Sequence, residues 1–240
     1  MLEKTKGIVL NNTNFRDNSV ISHIYTEKFG RQSYILHGVR NQKGVVRPSH
    51  IMPLNLLDIV VYHKSSSQIQ QIKELRCDPI LQSVHFNVYK NSIALFVAEV
   101  LSAVLREEET NPQMFQFLTH FIHILDLEEG RVANYPSYFL IQLSRYLGFY
   151  PKGNFTENSI FNLVEGVFME EAVAGDMCLS TSESALWWQI MNSNIDTWSE
   201  TVVKPEIRST LLAHLLSYFE IHGLHGHKIK SHLVLKEVLR

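Results

Sequence analysis

Cysteine is nearly absent. Cys77 and Cys178 are the only two in 240 residues, too few and too far apart to staple a small fold. Reduced thiols, and with them a cytoplasmic setting, are expected. No apolar run reaches the roughly 18 residues that a membrane-spanning helix needs. The longest, residues 93–105, is interrupted by Glu99. The opening MLEKTKGIVL has no apolar h-region and no small-residue cleavage site, so neither export nor a membrane partner is expected. Phosphate-cradling and nucleophile motifs are missing too. Gly38 and Gly44 lack the spacing and the Lys-Ser/Thr pair of a Walker A loop. There is no Gly-x-Gly-x-x-Gly turn and no Gly-x-Ser-x-Gly elbow. These absences argue against an ATPase, a dinucleotide enzyme and a serine hydrolase.

Metal chemistry finds little support. His222, His225 and His227 stand close together, but Gly223 and Gly226 break the helix that would align them. A helix end followed by a polar turn is the simpler reading, and His120 and His123 read as the flank of a helix. The acidic run LREEET reads as a solvated helix end. No carboxylates gather near the basic residues as a metal-dependent nuclease would need. No catalytic residue, metal or cofactor is expected.

The most informative absence is local. Between Lys28 and Leu57 there is no acidic residue, while Lys28, Arg31, Arg40, Lys43 and Arg47 are all basic. The overall charge of −2 hides this asymmetry: residues 1–80 carry 11 Lys/Arg against 6 Asp/Glu, and the remainder carries 11 against 18. A basic module joined to an acidic one points to a polyanion for the first.

The hydrophobic period changes where the charge does. KTKGIVLNNT, SVISHIYT, RQSYILHGV, LLDIVVYH and SQIQQIKELR are short, β-branched or alternating runs separated by Asn, Asp, Ser and Gly. Five strands without an intervening helix fit the partly open OB barrel. After Pro79, Ile93, Phe96, Val97, Val100, Leu101, Val104 and Leu105 follow helical steps. Pro112 stands at the start of a second helix and Pro136 or Ser137 at the start of a third, which stops at Gly148. Ser180 or Ser182 caps a fourth, and residues 204–222 form a long helix ending at Gly223. A last short helix covers residues 228–239, and residues 152–178 hold a hairpin around Glu165 and Gly166. The expected class is therefore α+β: a basic OB-fold barrel over 1–80, then a mainly α-helical bundle over 81–240 with a short irregular or hairpin insertion near 152–178.

Within HGVRNQKGVVRP, Arg40, Lys43 and Arg47 lie on a glycine-punctuated stretch that follows a barrel strand. Arginine and lysine there match phosphates by charge without reading sequence. Tyr25, Phe29 and Tyr34 belong either to the barrel core or to a surface on which bases stack. Trp187 and Trp188 read as helix packing or as an exposed partner-recognition pair.

The segment TKGIVLNNTNFRDNSVISHIYTEKFGRQSYILHGVR resembles the N-terminal barrel of the RecO family of DNA repair proteins, in a Bacteroidetes-like form. The shared marks are Lys-Gly-Ile-Val-Leu at residues 6–10, Tyr-Thr-Glu-x-x-Gly at 25–30 and Gly-x-Arg at 38–40. Others follow at residues 92–101, in LSRYLGFYP at 143–151 and in Lys-Ser-x-x-Val-Leu at 230–235. The resemblance implies a non-enzymatic mediator that binds single- and double-stranded DNA and anneals complementary strands. It implies RecR and the acidic C-terminal tail of single-strand-binding protein as partners, with RecA loading as the outcome. Lys28, Arg31, Arg40, Lys43 and Arg47 would then contact DNA, and Arg106, Arg145 and Arg208 are candidate rims for the tail. Many relatives carry a four-cysteine zinc site after GFYP. Here residues 152–178 hold only Cys178, so another brace is needed. The competing reading is an adaptor whose barrel binds an acidic protein tail and never touches DNA.

Overall fold

A computed structural model describes residues 1–16, 18–39, 46–105, 109–172 and 175–239. Arg40, Lys43 and Arg106 lie outside the described residues. The chain forms two compact units, Met1–Leu127 and Glu128–Arg240.

The first unit is built on β1 (Leu2–Phe15), β2 (Ser19–Thr26), β3 (Gly30–His37), β4 (Leu56–Tyr62) and β5 (Ile69–Cys77). They close into a barrel in the order β1-β2-β3-β5-β4, antiparallel throughout except where β3 runs parallel to β5. These are the five strands and the topology of an OB fold. Alternation turns Val9, Ile24, Tyr34, Leu57, Ile59 and Val61 inward. Each such side chain contributes about 1.5–3 kcal/mol by burial. Tyr25 and Tyr34 are buried, and the Phe29 ring stacks on His63 at 4.0 Å. The two tyrosines therefore belong to the core rather than to a stacking surface.

The β2–β3 turn explains the Tyr-Thr-Glu-x-x-Gly pattern. Buried Thr26 accepts from the Phe29 amide at 3.0 Å and donates to the Gly30 carbonyl at 2.8 Å. Gly30 has φ +62°, and a Cβ there would lie 2.5 Å from the Glu109 carbonyl oxygen. Only glycine meets both conditions.

Two helices complete this unit, α1 (Val88–Val104) and α2 (Pro112–Leu127). Asn87 caps α1 by accepting from the Tyr89 and Lys90 amides. The α1 stripe of Ile93, Phe96, Val97, Val100 and Leu101 is buried. Asn11 on β1 donates to the Ser102 hydroxyl at 2.7 Å, fixing the end of α1 against the barrel wall.

The second unit holds α3 (Tyr135–Tyr146), β6 (Ile160–Asn162), β7 (Val167–Met169), α4 (Thr181–Met191), α5 (Ile195–Glu200), α6 (Pro205–His222) and α7 (His232–Val238). Ser180 and Glu183 form a capping box at α4. The β6–β7 hairpin turns at Gly166, whose φ is +69°.

An aromatic cluster braces this hairpin. The Phe161 ring lies 4.6 Å from Trp187, 4.9 Å from Phe168 and 5.6 Å from Tyr218. Phe155 stacks on Trp188 at 5.6 Å. Ser184 accepts from the Phe161 amide at 2.8 Å, and His222 bonds the Leu163 carbonyl at 2.9 Å. Trp187 is fully buried while Trp188 flanks the hairpin, so the tryptophan pair packs this insertion.

Candidate nucleic-acid interface

The barrel has two ends, and β2, eight residues or about 25 Å long, separates them. At one end the chain turns from β1 into β2, and β3 exits toward the cationic segment. Phe15, Ser19 and His37 stand in one cross-strand row there. Ser19 and His37 are hydrogen-bonded at 3.0 Å. Arg16 is exposed at φ +56°, its guanidinium 5.3 Å from the Phe15 ring centroid. The Val39 amide donates to the Asn18 carbonyl at 3.2 Å, so β3 leaves the barrel beside this turn.

Both roots of the cationic segment are anchored at that same end. Val39 packs in an apolar cluster with Val20, Leu36 and Ile51, and Val46 lies against it. Arg47 then caps a 3-10 turn, Pro48–Ile51, whose final carbonyl accepts from Asn12 at 2.7 Å. The Arg47 side chain is exposed and has no ion pair among the described residues. Arg16 and Arg47 therefore stand at the end of the barrel where Val39 and Val46 pack.

Lys28 and Arg31 belong to the other end. Lys28 pairs with Glu3 at 3.6 Å. Arg31 was expected on the phosphate track, but its Nη1 donates to the Ser102 and Leu105 carbonyls at 2.8 and 3.2 Å. It thereby caps the negative end of α1. The five basic residues are thus divided: Arg47 and the roots of the segment lie together, and Lys28 and Arg31 lie a strand length away. Arg16 is the cation that sequence reasoning missed at this site. Asp58 on β4 holds Lys4 of β1 and Arg76 of β5 at 3.2 and 2.6 Å. Burial pushes its carboxyl up, but the hydrogen bonds from Arg76 and Lys4 outweigh that and lower its pKa.

Arg31→Met is expected to lower stability by about 1–3 kcal/mol, the value of hydrogen bonds to a charged donor. The slope of log affinity for single strands against log salt should not change. A slope shallower by about 0.7 in thermal and anisotropy measurements made side by side would put Arg31 on a phosphate.

In the second unit, Arg145 donates to the Tyr150 hydroxyl at 2.8 Å and stacks over that ring at 4.3 Å. Arg208 donates to the Val203 and Leu239 carbonyls and lines a cavity of about 430 Å³. Pro205, Leu212, Leu233 and Leu235 supply apolar walls, and Lys236 stands with Arg208 as the second cation. Among the described residues no group of three or more His, Cys, Asp or Glu is placed to hold a metal ion. None of the described helices is long and apolar enough to cross a membrane.

A closed barrel with this strand order is an OB fold. Two family models match the chain: "Recombination protein O N terminal" over residues 1–78 and "Recombination protein O C terminal" over residues 85–231. The chain belongs to the recombination protein O (RecO) family, a family of DNA repair and recombination. It is 31% identical over 239 residues to DNA repair protein RecO of Azobacteroides pseudotrichonymphae, covering 99% of each chain. The protein of that name from Christiangramia forsetii is 30% identical over 239 residues, and that from Bacteroides fragilis 31% over 240, each with 99% coverage of both chains.

Proposed function

We propose that this chain is a non-catalytic recombination mediator. It binds single- and double-stranded DNA without sequence preference, anneals complementary strands and, with RecR, helps load RecA onto strands coated by single-strand-binding protein. The observation that carries this reading is the convergence of Arg16, Arg47 and both roots of residues 40–45 at one end of the barrel. Cations there attract phosphates and leave base edges free to pair. Screening the repulsion between two strands is what annealing requires.

The cavity beside Arg208 and Lys236 suits the tail of single-strand-binding protein. Its apolar walls would take a hydrophobic anchor while the two cations meet acidic side chains. Family membership supports this assignment.

The test is annealing of complementary oligonucleotides, naked and precoated with the cognate single-strand-binding protein, together with anisotropy of a labelled single strand across a salt series. Neutralising about four phosphates, one for each of Arg16, Arg40, Lys43 and Arg47, gives a log–log slope of roughly −3. Salt-independent binding, or binding to an acidic peptide but not to DNA, would overturn the reading.

A further inference from the structure

The second unit is acidic, with 9 Lys/Arg against 13 Asp/Glu over residues 128–240, yet one stretch of it reverses the sign. Between Glu220 and Glu237 there is no acidic residue, and Lys228, Lys230, Lys236 and four histidines fill the interval. Among the described residues these histidines form no metal-ligating group. His222 is a packing residue, stacked on Phe149 at 5.7 Å and bonded to the Leu163 carbonyl at 2.9 Å. His225 and His227 face solvent.

The loop that joins α6 to α7 holds these cations in a defined shape. The Gly223 and Leu224 amides both donate to the Phe219 carbonyl at 2.8 Å and close α6. Leu224 and Ile229 are buried and pin the two ends of the loop. Between them the His227 amide donates to the Leu224 carbonyl at 2.9 Å, around His225 and Gly226 with φ +46° and +88°. Positive φ at both central residues is the mark of a type I′ turn. His225, His227 and Lys228 are exposed on this turn, and Lys230 is exposed on the far side of Ile229. The His227 and Lys228 side chains make no hydrogen bond, ion pair or ring contact among the described residues. Arg31 is engaged in capping a helix; Lys228 has no such task.

We propose that this loop holds the phosphate backbone of a second DNA strand while the barrel holds the first. The occupant follows from what the loop offers and what it lacks. Lysine ammonium groups and imidazole N–H groups match phosphate oxygens without reading sequence. A peptide tail needs an apolar socket as well as cations. Here the loop's apolar side chains, Leu224 and Ile229, are buried, and His225, Gly226, His227 and Lys228 alone stand between them. Annealing brings two strands together. One chain that carries both makes their encounter intramolecular, at a roughly millimolar effective concentration. The loop has fewer full charges than the barrel end, so it fills second. The proposal rests on the DNA-binding reading above and places the second strand that annealing requires.

Sedimentation of the full chain with an excess of a short labelled single strand gives the number of strands held per chain. Wild type should hold two, and the double variant His227→Glu with Lys228→Glu should hold one, with the affinity of the first strand unchanged. Annealing of complementary oligonucleotides by this variant should slow roughly 10-fold or more, since the effective-concentration gain is lost. Both side chains are exposed, so the thermal midpoint should stay. His227→Lys with Lys228→Arg should keep both strands and the annealing rate. Saturation of wild type at one strand, or a charge-reversed variant that holds two strands or anneals at the wild-type rate, would overturn the proposal. So would a variant that loses an acidic peptide and keeps both strands, which would give the loop to a protein tail. Failure of wild type to bind any DNA would instead remove the reading on which the loop's role rests.

Discussion

Trp187→Ala is expected to lower the stability of the second unit by about 3–5 kcal/mol, the range for removing a buried large aromatic side chain. Trp187 is fully buried and touches the rings of Phe161 and Tyr218 at 4.6 and 5.4 Å. Deleting it opens a cavity where the hairpin, α4 and α6 meet, and the flanking rings cannot close it without leaving their own contacts. Trp187→Phe separates area from polarity. The indole N–H is buried and has no hydrogen-bond partner, so phenylalanine loses ring volume but also removes an unmet donor. That variant should cost well under half as much. Urea unfolding followed by far-ultraviolet circular dichroism reads both. A chelator added to wild type should leave the midpoint unchanged, because Phe161, Phe168, Trp187 and Tyr218 pack the hairpin and residues 152–178 hold a single cysteine. A midpoint that falls with chelator, or a Trp187→Ala loss below about 1 kcal/mol, would show that something else holds the hairpin.

Local signals foretold local structure. The cap at Ser180, one of the two serines expected, the stop at Gly223 and the hairpin at Gly166 each depend on a few neighbouring residues, and each lies where the pattern put it. The strands were legible for the same reason. Barrel closure was less so, since pairing Ile35 of β3 with Gln71 of β5 is a long-range event with no mark in either strand. The distribution of charge along the chain misled in a specific way. Lys28 and Arg31 are near Arg40 in sequence, but β3 carries the chain from one end of the barrel to the other between them. Arg16 was overlooked because Asp17 follows it and the pair sums to zero in any window. Burial was ambiguous for single aromatics: Tyr25 and Tyr34 went to the core, while Phe86, which drew no notice, stands in solvent. Apolar character alone does not say which side of a turn faces water.

Joint replacement of Arg40, Lys43 and Arg47 by glutamate should abolish annealing and weaken single-strand binding by roughly 100-fold or more at moderate salt. The sign follows from the counterion account: each lost phosphate contact removes about 0.7 from the slope, and each new carboxylate adds repulsion. The fold should survive, because the segment is anchored by Val39 and Val46 in the apolar cluster, and Arg47 makes no ion pair among the described residues. An unchanged thermal midpoint is the control. Arg16→Glu alone should give a smaller loss in the same direction, since it stands at the same end of the barrel. Lys28→Glu should give the smallest, because that lysine lies at the far end beside Glu3. This ranking separates a localised site from general basicity. If net charge alone governed binding, Arg16→Glu and Lys28→Glu would weaken it equally, because each changes the total by the same amount. Equal losses would therefore defeat the assignment of the site, and unchanged affinity in the triple variant would defeat the role of the segment altogether.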